Sequence, residues 1–219
     1  MRWLSLLLLL GLAPAATAEE VVKVCYNYGC ITEAEVRYSD QQLLQLRELL
    51  GVARSAAEER EKLSLAIGWL LGWAGERTPI AADRGGNYAD DGVLGRMDCI
   101  DHSTTTTRLL RLLESRGWLH FHRVVEPVRR VRYLFELHYS AQIEETGPLA
   151  AAPDGAAEAA RHVVDSWFRD NGRPAVVMAL PDWLDGQGRE ETGLPTQFLI
   201  KGRGGAVAGR AGDGAPIER

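Results

Sequence analysis

The chain has 219 residues, with 30 acidic against 25 basic side chains and a net charge of −5. Its basic residues are scattered, which argues against a nucleic-acid groove or an anionic membrane surface as partner. The length suits one sizeable core.

Met1-Arg2, the apolar run from Leu4 to Leu12 and the sequence Ala13-Pro14-Ala15-Ala16-Thr17-Ala18 have the layout of a secretory signal peptide. Cleavage is expected after Ala18. The run is too short to span a bilayer, and no later stretch is apolar enough to do so. The expected product is exported, periplasmic or secreted, with one domain over residues 19–185 and a disordered Gly/Ala/Arg-rich tail over 186–219. In an oxidising compartment Cys25 and Cys30 are expected to pair across Tyr26-Asn27-Tyr28-Gly29. Metal ligation by these two is the alternative, disfavoured because no second pair lies nearby. Pairing leaves Cys99 alone, and a lone thiol kept in such a compartment points to reactivity, with a buried inert cysteine as the other reading.

From Asp40 to Gly75 apolar residues recur at helical spacing (Leu43, Leu46, Leu50, then Leu63, Ile67, Leu70, Leu71), which predicts two helices or one long bent helix. Ser39 or Asp40 is the expected N-cap, and Gly75 with Pro79 the stop. Trp69 and Trp73 are expected in the core. Arg84 to Gly92 reads as a glycine-rich surface loop. A helix is expected from Asp98 or Cys99 to about Arg116, stopped by Gly117, with Asp98 and Asp101 forming a capping box. Thr104 to Thr107 is a poor helical stretch, so tertiary contacts must hold that turn.

After Trp118 the period becomes alternating. Strands are expected over 120–125, 133–143, 162–168 and 175–180, giving an α+β domain with N-terminal helices packed on an antiparallel sheet. Arg129, Arg130 and Arg132 read as a solvated cluster. Around His138 the odd positions are apolar and the even ones polar, so His138 projects from the polar face. Asp165 sits among Val163, Val164, Trp167 and Phe168 and must find a hydrogen-bond donor there, either the His138 imidazole or a structural partner such as Arg169.

Cys99, His138 and Asp165 therefore form a candidate nucleophile, base and orienter on three separate elements. A helix N-terminus should lower the Cys99 thiol pKa, opposed by Asp98 and Asp101 if they lie close. The backbone amide of Cys99 would be one oxyanion donor, and Asn87 is a candidate for the second.

Asp98-Cys99-Ile100-Asp101, followed by a helix ending Leu112-Leu113-Glu114-Ser115-Arg116-Gly117, resembles the nucleophile helix of the bacterial transglutaminase-like cysteine peptidases, where Cys-x-Asp opens the helix. His138 and Val164-Asp165-Ser166 resemble that family's second and third catalytic positions. The resemblance covers roughly residues 95–168. It implies a papain-like fold, no cofactor, and acyl transfer on a peptide, isopeptide or peptidoglycan-type amide. Met97 stands where the family usually has glycine, and Tyr139 where tryptophan or alanine is common.

Two other functions compete. His120, His122 and His138 could hold zinc from neighbouring strands, as in a zinc hydrolase. The chain could also be a catalytically inactive scaffold of the cell envelope. His102, one helical turn after Cys99, is an alternative base.

Overall fold

Residues 20–38 alternate in burial and fold as a hairpin that the sequence reading does not contain. β1 (Glu20–Tyr26) and β2 (Thr32–Tyr38) pair antiparallel and turn Val22, Val24, Val36 and Tyr38 into the core. The computed structural model describes residues 20–133, 136–147 and 160–188. The expected signal peptide, the tail beyond Gly188 and residues 148–159 lie outside the described residues.

The periodic segment resolves into two helices. Ser39 caps α1 (Asp40–Gly51) in a capping box with Gln42, and Ser55 caps α2 (Ala56–Gly75). Leu43, Leu46 and Leu50 of α1 and Leu63, Ile67, Leu70 and Leu71 of α2 are buried together. Each such side chain contributes about 1.5–3 kcal/mol of transfer free energy. Trp69 departs from expectation: it is 39% exposed, its ring 6.1 Å from that of the half-buried Trp73. Gly68 sits where a Cβ would lie 2.8 Å from the Arg173 carbonyl oxygen, so glycine permits close approach of α2 to the segment before the last strand. A short 3-10 turn (Pro79–Ala82) leads into the loop before α3 (Cys99–Ser115).

The C-terminal half is one antiparallel sheet ordered β3-β4-β5-β6, formed by β3 (His122–Arg132), β4 (Glu136–Glu145), β5 (Arg161–Asp165) and β6 (Val176–Ala179). Its first face packs under α3: Leu109, Leu110 and Leu113 meet Val124, Ala141, Ile143 and Val164. Its second face carries a smaller core of Val163, Trp167, Phe168, Val176, Leu180 and Trp183, part of it on the short α4 (Leu180–Leu184). The polar face of β4 is not solvated: His138, Ser140, Gln142 and Glu144 are all buried. The architecture is mixed α+β, and no helix among the described residues is long and apolar enough to cross a membrane.

Candidate functional site

Asp98 is extended (φ −88°, ψ −178°) and its side chain accepts from the backbone of Ile100 and Asp101, while Asp101 reaches back to the Asp98 amide. This is the reciprocal cap expected from the sequence. The threonines that lower helix propensity are held from outside: Thr105 Oγ1 accepts from the Cys25 amide at 2.9 Å, and Thr106 Oγ1 bonds Ser166 Oγ at 2.8 Å.

A strained loop clamps the same helix start. Asn27, Tyr28, Gly29 and Cys30 all have φ between +56° and +67°. Three are not glycine, and left-handed backbone costs roughly 1–2 kcal/mol for each such residue. Offsetting bonds come from α3: Asp101 accepts from the amides of Tyr28 and Cys30, and Asp98 from that of Gly29. The Cys25–Cys30 disulfide closes the loop. Both sulfurs are therefore engaged with each other, which removes the metal alternative for this pair. Burial and the neighbouring Asp98 raise the Asp101 pKa to about 6, against the pull of the amides it accepts from.

Continuing the β4–β5 register by one step sets Asp165 beside Ser140, on the face that carries His138. His138 Nε2 lies 2.8 Å from Asp165 Oδ2. The same oxygen accepts from Trp183 Nε1 at 2.9 Å, and Oδ1 accepts from the Trp167 amide at 3.1 Å. A carboxylate so placed holds the imidazole proton on Nε2 and leaves a lone pair on Nδ1. Nδ1 is buried and has no hydrogen-bond partner among the described residues.

Cys99 is a free, half-buried thiol at the first position of α3. It packs against the core that contains Trp167, Phe168 and Trp183, and among the described residues no hydrogen bond joins its sulfur to His138. The structure thus sets the thiol against the same aromatic core that surrounds the histidine. The expected lowering of its pKa is corrected: burial raises the thiol to about 11, with Asp98 and Asp165 adding to the rise and the backbone amides of Tyr139 and Cys99 opposing it. The physical reason is chiefly burial, which disfavours a charged thiolate, with the capping carboxylate of Asp98 adding repulsion at the helix start.

Comparison with known proteins gives no match: no family model, no curated protein and no solved structure resembles the chain. The site stands on its own geometry.

Aromatic rings enclose the imidazole, with centroids of Trp167, Phe168 and Trp183 at 4.8, 5.3 and 5.5 Å from that of His138. Tyr88, from the loop before α3, packs on Trp167 at 4.6 Å and is half exposed. Arg130 corrects the reading of a solvated basic cluster. It is 5% exposed, lies 4.5 Å over the Trp183 ring, and donates to the carbonyls of Trp183 and Gln187. Asn87 Oδ1 accepts from the Ala89 amide, a local turn contact, and no described contact links it to Cys99.

The alternative base is otherwise engaged. His102 Nδ1 is 2.8 Å from Ser166 Oγ and Nε2 is 3.0 Å from Asp83 Oδ2, all buried. Burial works against the charged imidazole, but Asp83 outweighs it and raises the His102 pKa above the usual histidine value. Sequence reasoning passed over Asp83 and gave Ser166 no role beyond the Val164-Asp165-Ser166 motif, because the fold brings the partners of His102 from remote segments.

The proposed histidine zinc set is not assembled. His122 stands opposite Glu145 and His138 opposite Arg130, so their positions are about 23 Å apart along β4 at 3.3 Å per residue. His120 is exposed, and its amide donates to Glu59.

Proposed function

We propose that this protein is an exported thiol-dependent acyl-transfer enzyme in which Cys99 is the nucleophile, His138 the base and Asp165 its orienter. The observation that carries the reading is a buried, carboxylate-held His138 whose Nδ1 has no hydrogen-bond partner among the described residues, in the aromatic core against which Cys99 packs. A helix bearing a thiol, laid against an antiparallel sheet bearing the other two groups, fits the papain-like arrangement implied by the Asp98-Cys99-Ile100-Asp101 motif. The disulfide fits export to an oxidising compartment. Substrates of the reading are peptide, isopeptide or peptidoglycan-type amides.

With a thiol raised to about 11, the resting nucleophile is the neutral S–H, and general-base assistance is required. His138 Nδ1 takes the thiol proton as sulfur adds to the amide carbon. The developing oxyanion meets the Cys99 amide. Breakdown of the adduct cleaves the C–N bond, with His138 returning the proton to the departing amine. Water or a second amine then cleaves the thioester, its proton passing through the same nitrogen.

The test is alkylation of Cys99 by iodoacetamide across pH, followed by mass spectrometry. Rapid single-site labelling at neutral pH, lost in His138→Ala and in the smaller polar change His138→Asn, is the expected result. Wild-type labelling that begins only near pH 11, and that neither variant alters, overturns the assignment. The raised thiol itself favours one other reading, an inactive scaffold, in which Cys99→Ala leaves every envelope property unchanged.

A further inference from the structure

Away from the thiol, three adjacent strands each bring one metal-capable side chain to the same sheet face. His122 of β3 stands opposite Glu145 of β4, and Ile143, two residues back on that face, stands opposite His162 of β5. The ligand-capable atoms of His122, Glu145 and His162 lie within 4.8 Å of one another. We propose that these three residues form a binding site for a divalent first-row transition ion, with zinc the best match, and that Arg60 is the resident cation the ion displaces.

The surroundings are built for ligation on independent grounds. Glu59 is fully buried and accepts His122 Nδ1 at 2.8 Å, together with the amides of His120 and Phe121. A carboxylate on one ring nitrogen fixes the tautomer, turns the other into a lone-pair donor and raises its basicity, which is the usual outer partner of a metal-bound histidine. His162 Nδ1 is buried and makes no hydrogen bond among the described residues. Two of the three already face a positive group: the Arg60 guanidinium donates to Glu145 and lies 3.3 Å from His122 Nε2.

Arg60 can leave. It is partly exposed, and it lines a cavity of about 670 Å³ together with Glu61 and Ser64, where a carboxylate and a hydroxyl can receive it. Two imidazoles and one carboxylate suit zinc in a four-coordinate site with one position left to water. An ion there ties β3, β4 and β5 together and, through Glu59, fastens them to α2. This set shares only His122 with the trio expected from sequence, because strand register rather than spacing decides which histidines meet.

The test uses untagged protein carrying Cys99→Ala, so that the thiol does not compete for metal. Zinc is titrated against a chromogenic chelator, cobalt binding is followed by its visible absorption, and melting is recorded with and without zinc. One zinc per chain and a zinc-dependent rise in Tm are expected. Affinity should fall at least tenfold in His162→Ala and in the near-isosteric Glu145→Gln, and rise at least tenfold in Arg60→Ala. No saturable binding, or binding by both ligand variants equal to the parent, overturns the proposal. Since every sample lacks Cys99, the result is independent of the acyl-transfer reading.

Discussion

Three buried histidines of this protein are each held by a buried carboxylate, yet they end in different chemical states. His102 has both ring nitrogens satisfied, by Asp83 and Ser166. His122 has Glu59 on one nitrogen and the displaceable Arg60 on the other. His138 has Asp165 on one nitrogen and, among the described residues, no hydrogen-bond partner on the other. A carboxylate partner alone therefore says little about function. The second nitrogen separates a structural rivet from a base and from a prospective ligand.

The sharpest way to break this comparison is to remove each imidazole in turn. His138→Ala should slow iodoacetamide labelling of Cys99 at about pH 7.5 by about 10²-fold, the lower end of what a positioned base supplies. Circular dichroism should show the fold retained. His102→Ala should leave labelling unchanged and cost about 3–5 kcal/mol in urea unfolding, because among the described residues buried Asp83 then keeps only the Met97 amide, whereas Asp165 keeps both the Trp167 amide and Trp183 when His138 is removed. Equal stability losses in the two variants would erase the distinction.

The pH dependence of stability sharpens the same contrast. His102 titrates above its unfolded value of about 6.5 when folded. The stability it contributes is complete below about pH 6.5 and is lost as pH rises through the raised folded value. The urea midpoint should decline over that range in the wild type, and Asp83→Asn should flatten the decline.

Smaller changes probe the supports. Trp183→Phe keeps an aromatic ring but removes the indole N–H that donates to Asp165, with an expected cost of about 1.5–3 kcal/mol in urea unfolding and slower labelling of Cys99. Replacing Cys25 and Cys30 by serine frees the left-handed loop from a short covalent closure, worth about 2 kcal/mol. The smallest effect is expected for Ser39→Ala, about 1 kcal/mol from loss of the α1 cap.

Much of this was legible in the chain because it is written in local chemistry. Helical spacing of leucines set α1 and α2, the Asp98 and Asp101 pair announced the start of α3, alternation announced the sheet, and two nearby cysteines announced their pairing. Hydrophobic period and capping are short-range properties, so the residues that encode them lie side by side. The hairpin over 20–38 was not legible, since its turn depends on left-handed residues held by carboxylates of α3 some seventy positions away.

Tertiary structure alone decided the rest. It buried His138, on the polar face of β4, among Trp167, Phe168 and Trp183, drew Arg130 inward onto Trp183, and gave His122 Glu145 and His162 as neighbours instead of His138. It also raised the Cys99 thiol where the helix end by itself would have lowered it. Burial, strand register and the sum of surrounding charges are set by segments far apart in the chain, and no local pattern records them.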